Sequence, residues 1–85
     1  MAYQLQIRRA AAKELATIAE PYRTRLKDAI AALADEPHPE GCKKLKGFDD
    51  LYRVRVADYR VTYQIQDKIL SVIVIKVGHR REVYR

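Results

Sequence analysis

Residues 51–66 read LYRVRVADYRVTYQIQ, and the fold of the whole chain turns on this stretch. Apolar and polar residues alternate strictly on either side of Ala57-Asp58, the pattern of two half-buried strands joined by a turn. Tyr52, Val54 and Val56 share one face of the first strand, with Leu51, Arg53 and Arg55 on the other. The second strand repeats the device: Tyr59, Val61, Tyr63 and Ile65 on one face, Arg60, Thr62 and Gln64 on the other. A two- or four-residue hairpin loop sets Val54 opposite Val61, Arg53 opposite Thr62 and Arg55 opposite Arg60. Like charges directly opposite one another destabilise a sheet, so three arginines on one face suggest a bound anion. Arginines on the solvent face of a hairpin are also ordinary, and the hairpin alone leaves both readings open.

Outward from the hairpin, residues 3–7 (YQLQI) alternate as a first strand with Tyr3, Leu5 and Ile7 inward. A helical pattern follows from Arg8 or Arg9, with Ala12, Leu15, Ala16 and Ala19 as its buried stripe. Glu20-Pro21 breaks it, because proline suits the first turn of a new helix and damages an interior. The second helix buries Tyr22, Leu26, Ala29, Ile30 and Leu33. Residues 35–41 (DEPHPEG) end it in a loop, in which His38 is expected at the surface. Lys43, Lys44 and Lys46 follow as a basic loop. Beyond Asp67-Lys68, residues 69–77 (ILSVIVIKV) form a β-branched run expected to be a central strand. The expected architecture is a single α+β domain over residues 1–85. It has a twisted, mostly antiparallel four-stranded sheet and a helical hairpin on one face. The arginine face then looks onto the open side, and Gly78 permits the tail to turn back beside it.

Composition narrows the function. Seventeen Lys and Arg against eleven Asp and Glu give a net charge of +6, a field suited to nucleic acid or an acidic protein partner. No apolar run approaches the ~18 residues that span a membrane, and residues 1–10 carry two arginines without a signal-peptide core. A single cysteine, Cys42, excludes an internal disulfide and points to a reducing compartment. A cytoplasmic protein is expected, with no membrane partner. Paired cysteines for zinc, a glycine-rich phosphate loop and a Ser-His-Asp set are missing, and the carboxylates read as loop and turn residues. Neither a metal nor a cofactor is expected. What remains is a gathering of guanidinium groups with a tyrosine and a histidine near the tail. Such a set suits RNA cleavage in which a ribose 2′-hydroxyl attacks its adjacent phosphate, while fixed arginines stabilise the added charge.

Three motifs in order, Y-R-x-R at residues 52–55, D-Y-R-x-x-Y at 58–63 and V-G-x-R…Y at 77–84, resemble the RelE family of bacterial and archaeal toxins. The likeness extends over essentially the whole chain. It implies a small α+β domain related to microbial ribonucleases that cleaves messenger RNA in the ribosomal A site. It also implies a cognate RelB-like antitoxin, and contacts with the ribosome in the 16S rRNA region of the A site. By position, Arg53 and Arg55 stand where the family has a basic pair, often lysines, and Arg60 matches its phosphate-stabilising arginine. Arg80 matches the tail arginine proposed as general acid, and Tyr84 the tail aromatic that stacks on or orients substrate. His79, Arg81, Lys43, Lys44 and Lys46 are further candidate substrate contacts. With arginines in place of lysines the identity of the general base stays open. A ParE-type toxin that binds DNA gyrase, or an RNA-binding relative without activity, shares the same expected fold.

Overall fold

A computed structural model of the chain describes residues 3–79. Five strands form one sheet in the order β1-β5-β4-β3-β2: β1 Gln4–Ile7, β2 Lys43–Lys44, β3 Leu51–Val56, β4 Tyr59–Gln66 and β5 Ser71–His79. All neighbours are antiparallel except β1 and β5, which run parallel. Two helices, α1 Arg9–Ala16 and α2 Tyr22–Ala32, lie between β1 and β2 in the chain; α1 packs on β5 and α2 on β3.

The hairpin register agrees with the alternation. Val54 faces Val61, Arg53 faces Thr62 and Arg55 faces Arg60, with Val56 and Tyr59 closing a two-residue loop. Ala57 takes φ 54 in that loop, the left-handed region that such tight hairpins require. Val54, Val61, Tyr63 and Ile65 are buried with Val72, Val74 and Val77 of β5 against Leu15, Ile18, Leu26, Ile30 and Leu33. Each fully buried aliphatic side chain of this kind contributes about 1.5–3 kcal/mol. The core therefore lies on the helix side of the sheet and leaves the opposite face to the arginines.

Several local expectations are corrected. The sheet has a fifth strand: Lys43 and Lys44 pair with Arg53 and Tyr52. Two residues are too short to carry a readable alternation, and the pairing depends on β3. In α1 the buried stripe is Ala11 and Leu15, continued by Ile18, while Ala12, Ala16 and Ala19 are exposed. An alanine-rich helix has a degenerate hydrophobic phase, and the bulk of Ile18 decides it. Tyr22 and Ile7 are both 40% exposed; Tyr22 lies against the Tyr59 ring at 5.7 Å. The last strand begins at Ser71, because Leu70 adopts φ 49 after a short 3₁₀ turn at Asp67–Ile69. Ile69 is consequently 66% exposed, and β4 rather than β5 occupies the middle of the sheet. Gly78 does not turn the chain; it continues β5 opposite Arg60.

Candidate nucleic-acid interface

The register rows of the sheet assemble the site. One row carries Lys43, Arg53 and Thr62 across β2, β3 and β4; the next carries Arg55, Arg60 and Gly78 across β3, β4 and β5. Residues opposite one another share a face, so two like-charge pairs, Lys43–Arg53 and Arg55–Arg60, stand side by side. Gly78 adds no side chain beside Arg60. A cleft of about 310 Å³ opens here, lined by Glu40, Gly41, Lys43, Arg53, Val54, Arg55 and Arg60.

The three arginines differ in their setting. Arg60 is only 6% exposed, with Nε and Nη1 shielded from solvent. Arg55 is held at the hairpin end, where its Nε donates to the Ala57 carbonyl at 3.0 Å and its Nη2 lies 3.8 Å from Asp58. Arg53 is half-buried between them and Lys43. A buried guanidinium keeps its charge and its planar donor fork, so the cleft presents a graded set of cations from sheltered to exposed.

The rim of the cleft is fixed by the loop before β2. Tyr63 is fully buried on the helix face of β4, and its hydroxyl donates to the Pro37 carbonyl at 2.8 Å. Burial, with Cys42 nearby, holds the Tyr63 phenol well above its ordinary value, so it is a permanent donor. The Cys42 amide donates to the Pro39 carbonyl at 3.1 Å, and Gly41 takes φ 88, a conformation that favours glycine. These contacts carry Glu40 and Lys43 to the mouth of the cleft. His38 is exposed, with its ring edge-on to Tyr52 at 5.1 Å.

Of the sequence-expected residues, Arg53, Arg55, Arg60 and Lys43 come together. Lys44 alternates to the opposite face of β2 from Lys43, and Lys46 lies beyond the strand; neither lines the cleft. His79 does not line this cleft either. It faces Tyr59 across the β4–β5 ladder with rings 5.4 Å apart. It therefore lies on the helix side, in a second cleft of about 430 Å³ with Glu14, Thr17, Ile18, Ala19, Tyr59, Val77 and Gly78. There Glu14 accepts from Lys76 Nζ at 3.1 Å and from the Val77 amide at 3.0 Å. Arg80, Arg81 and Tyr84 lie outside the described residues. Glu40 was missed, because it belongs to no motif and only the anchoring of its loop places it at the cleft. Among the described residues, no three His, Cys, Asp or Glu side chains gather as metal ligands would.

The site is a basic cleft on a mostly antiparallel sheet whose other face packs against two helices. The model of the ParE toxin of type II toxin–antitoxin systems matches residues 5–84, and the chain belongs to this RelE/ParE toxin family. The mRNA interferase toxin RelE of Escherichia coli (strain K12) is 35% identical over 88 residues, covering 99% of this chain and 92% of the relative. A putative toxin RelE1 of Methanocaldococcus jannaschii is 30% identical, covering 100% of this chain and 98% of the relative. Among solved structures, the archaeal RelE–RelB complex from Pyrococcus horikoshii superposes with a TM-score of 0.83 at 30% identity, over 94% of this chain and 97% of that one. The isolated Escherichia coli RelE toxin gives 0.80 at 34%, over 98% and 92%.

Proposed function

We propose that this chain is the toxin of a type II toxin–antitoxin pair, an endoribonuclease that cuts messenger RNA in the ribosomal A site and so stops translation. The observation that carries the reading is the single cleft in which Arg53, Arg55 and Arg60 converge beside Lys43. In the reaction a ribose 2′-hydroxyl attacks the adjacent phosphorus and the 5′-oxygen of the next nucleotide leaves. The products are a 2′,3′-cyclic phosphate and a free 5′-hydroxyl. As the phosphorus becomes five-coordinate, negative charge grows on its non-bridging oxygens. Guanidinium groups already fixed in the cleft stabilise that charge without having to reorganise.

Arg60, sheltered and rigid on the central strand, is assigned to the non-bridging oxygens, with Arg53 and Arg55 on the flanking backbone. Arg80 is assigned to the leaving oxygen, and Tyr84 to stacking on a base of the message. The guanidinium set supplies the charge that a metal ion would otherwise bring. Lys44, Lys46 and the exposed cations of the helices are assigned to ribosomal RNA in the A-site region. A RelB-like antitoxin is the proposed partner, its acidic segment complementing the net charge of +6. A cytoplasmic location accords with a ribosomal substrate, and among the described residues no helix is long and apolar enough to cross a membrane.

The test is single-turnover cleavage of a message positioned in programmed ribosomes, with DNA gyrase supercoiling measured in parallel. Message cut in the A site, with the rate falling about 10²–10³-fold in Arg60→Ala while the thermal transition is retained, is the expected result. Intact message together with inhibited supercoiling would assign the chain to the gyrase-directed branch.

A further inference from the structure

The cleft as described has an abundance of cations and a shortage of bases. The attacking 2′-hydroxyl must give up a proton as its oxygen approaches phosphorus. Arg53, Arg55 and Arg60 hold their protons at any working pH, and an ammonium such as that of Lys43 has donors and no acceptor. Among the described residues lining the cleft, Glu40 carries the one side chain able to accept a proton.

Six of the other described carboxylates have structural partners, and Asp28, Asp35 and Asp49 do not line the cleft. Glu14 binds Lys76 and the Val77 amide, Glu20 binds Arg23 and Thr24, and Glu36 accepts from the His38 amide. Asp50 accepts from Gln64, Asp67 from the Tyr3 hydroxyl, and Asp58 pairs with Arg55. Glu40 makes no hydrogen bond or ion pair with the described residues, yet it stands at the mouth of the guanidinium cleft. Its place there is anchored on both sides, by the Tyr63–Pro37 bond before it and by the pairing of Lys43 with Arg53 after it.

We infer that Glu40 is the general base of this cleft, accepting the ribose 2′-hydroxyl proton of the RNA substrate; the inference rests on the nuclease reading above. The carboxylate takes the 2′-hydroxyl proton, the 2′-oxygen forms its bond to phosphorus, and the bond from phosphorus to the 5′-oxygen breaks. That oxygen leaves with the electron pair and takes a proton from water, and Glu40 gives its proton to the hydroxide so formed, which restores the carboxylate. A carboxylate at this point supplies what arginines at positions 53 and 55 cannot. It also offsets part of the repulsion within the two like-charge pairs. Serving as a counter-ion would be its whole role if it took no proton, and the two roles are separable.

The experiment is single-turnover cleavage of an A-site message by wild type, Glu40→Gln and Glu40→Asp across the acid and neutral pH range. The half-saturating toxin concentration is measured for each. A general base contributes about 10²–10⁴-fold. Glu40→Gln is therefore expected to be slower by about 100-fold or more, with unchanged half-saturation and without the acid limb of the wild-type pH profile. Glu40→Asp is expected to keep that limb. Glu40 is exposed, so both variants are expected to melt with the wild type. A Glu40→Gln rate within about threefold of wild type overturns the inference. So does a loss carried by half-saturation and salt dependence with the acid limb intact, which marks a counter-ion. In either case the nuclease reading stands. Absence of message cleavage by the wild type itself overturns the nuclease reading and this inference together.

Discussion

Replacing Tyr63 by phenylalanine removes a single oxygen from the centre of the molecule, and its consequence can be worked out from the structure. The hydroxyl is fully buried and donates to the Pro37 carbonyl at 2.8 Å. Its loss removes a net hydrogen bond of about 0.5–1.5 kcal/mol and leaves a shielded carbonyl without that donor, a penalty of about 1–3 kcal/mol. Because the ring stays and some relaxation follows, about 2 kcal/mol is the expected total. An unfolding entropy of about 2.1 cal/mol/K per residue gives roughly 0.18 kcal/mol/K for 85 residues, so Tm should fall by about 11 °C. The change is readable by far-ultraviolet circular dichroism and by the urea midpoint at unchanged slope. Burial also holds the Tyr63 phenol above its ordinary value of 10.0. The unfolded chain therefore loses this proton before the folded one does, and stability present below that pH is lost as alkalinity rises through it. Tyr63→Phe should flatten that part of the alkaline decline. A fall in Tm of less than about 3 °C, with the alkaline decline intact, would refute the claim that this bond anchors the loop carrying Glu40 and Lys43.

Other perturbations probe the frame around the cleft. Ala57→Asn should raise stability by up to about 1 kcal/mol, because asparagine tolerates the left-handed φ of 54 better than alanine does; a lower Tm in thermal unfolding would contradict the strain. Glu20 is held below the ordinary carboxylate value by hydrogen bonds from the Thr24 side chain and amide, with Arg23 adding to them. Its contribution is therefore present above the unfolded value of 4.5 and disappears as pH falls through the lower folded value. The Tm difference between wild type and Glu20→Gln should narrow on acidification, and a constant difference from neutral to acid pH would show that the bonds do not depend on its charge.

How much of this was legible in the sequence follows from how far apart the interacting residues lie. Strict alternation and a two-residue turn leave little freedom, so residues 51–66 specify their own register, including the opposition of Arg55 and Arg60. Glu20-Pro21 likewise announces the break between the helices, since proline acts on its immediate neighbours. The family resemblance named the fold, and it pointed to Arg53, Arg55 and Arg60, which lie together in one cleft on the sheet. Alternation also places Arg60 on the face away from the helices, but gives no sign that it would be 6% exposed.

The remaining features belong to tertiary structure, because each depends on partners distant along the chain. The parallel pairing of β1 with β5 joins residues 4–7 to residues 71–74, and no local pattern encodes it. The short β2 exists only where β3 offers an edge, and that pairing turns Lys43 into the cleft and Lys44 away from it. His79 follows the same logic: its place on β5 opposite Tyr59 commits it to the helix side, although in sequence it adjoins the basic tail. Glu40 is the clearest case. In the chain it is one acidic residue in a proline-rich loop, and it becomes a candidate base only when a buried tyrosine on β4 holds that loop against the arginine face. Side-chain alternation fixes which way a strand residue points; which distant group it then meets is decided by the packing of the sheet and the loops it anchors.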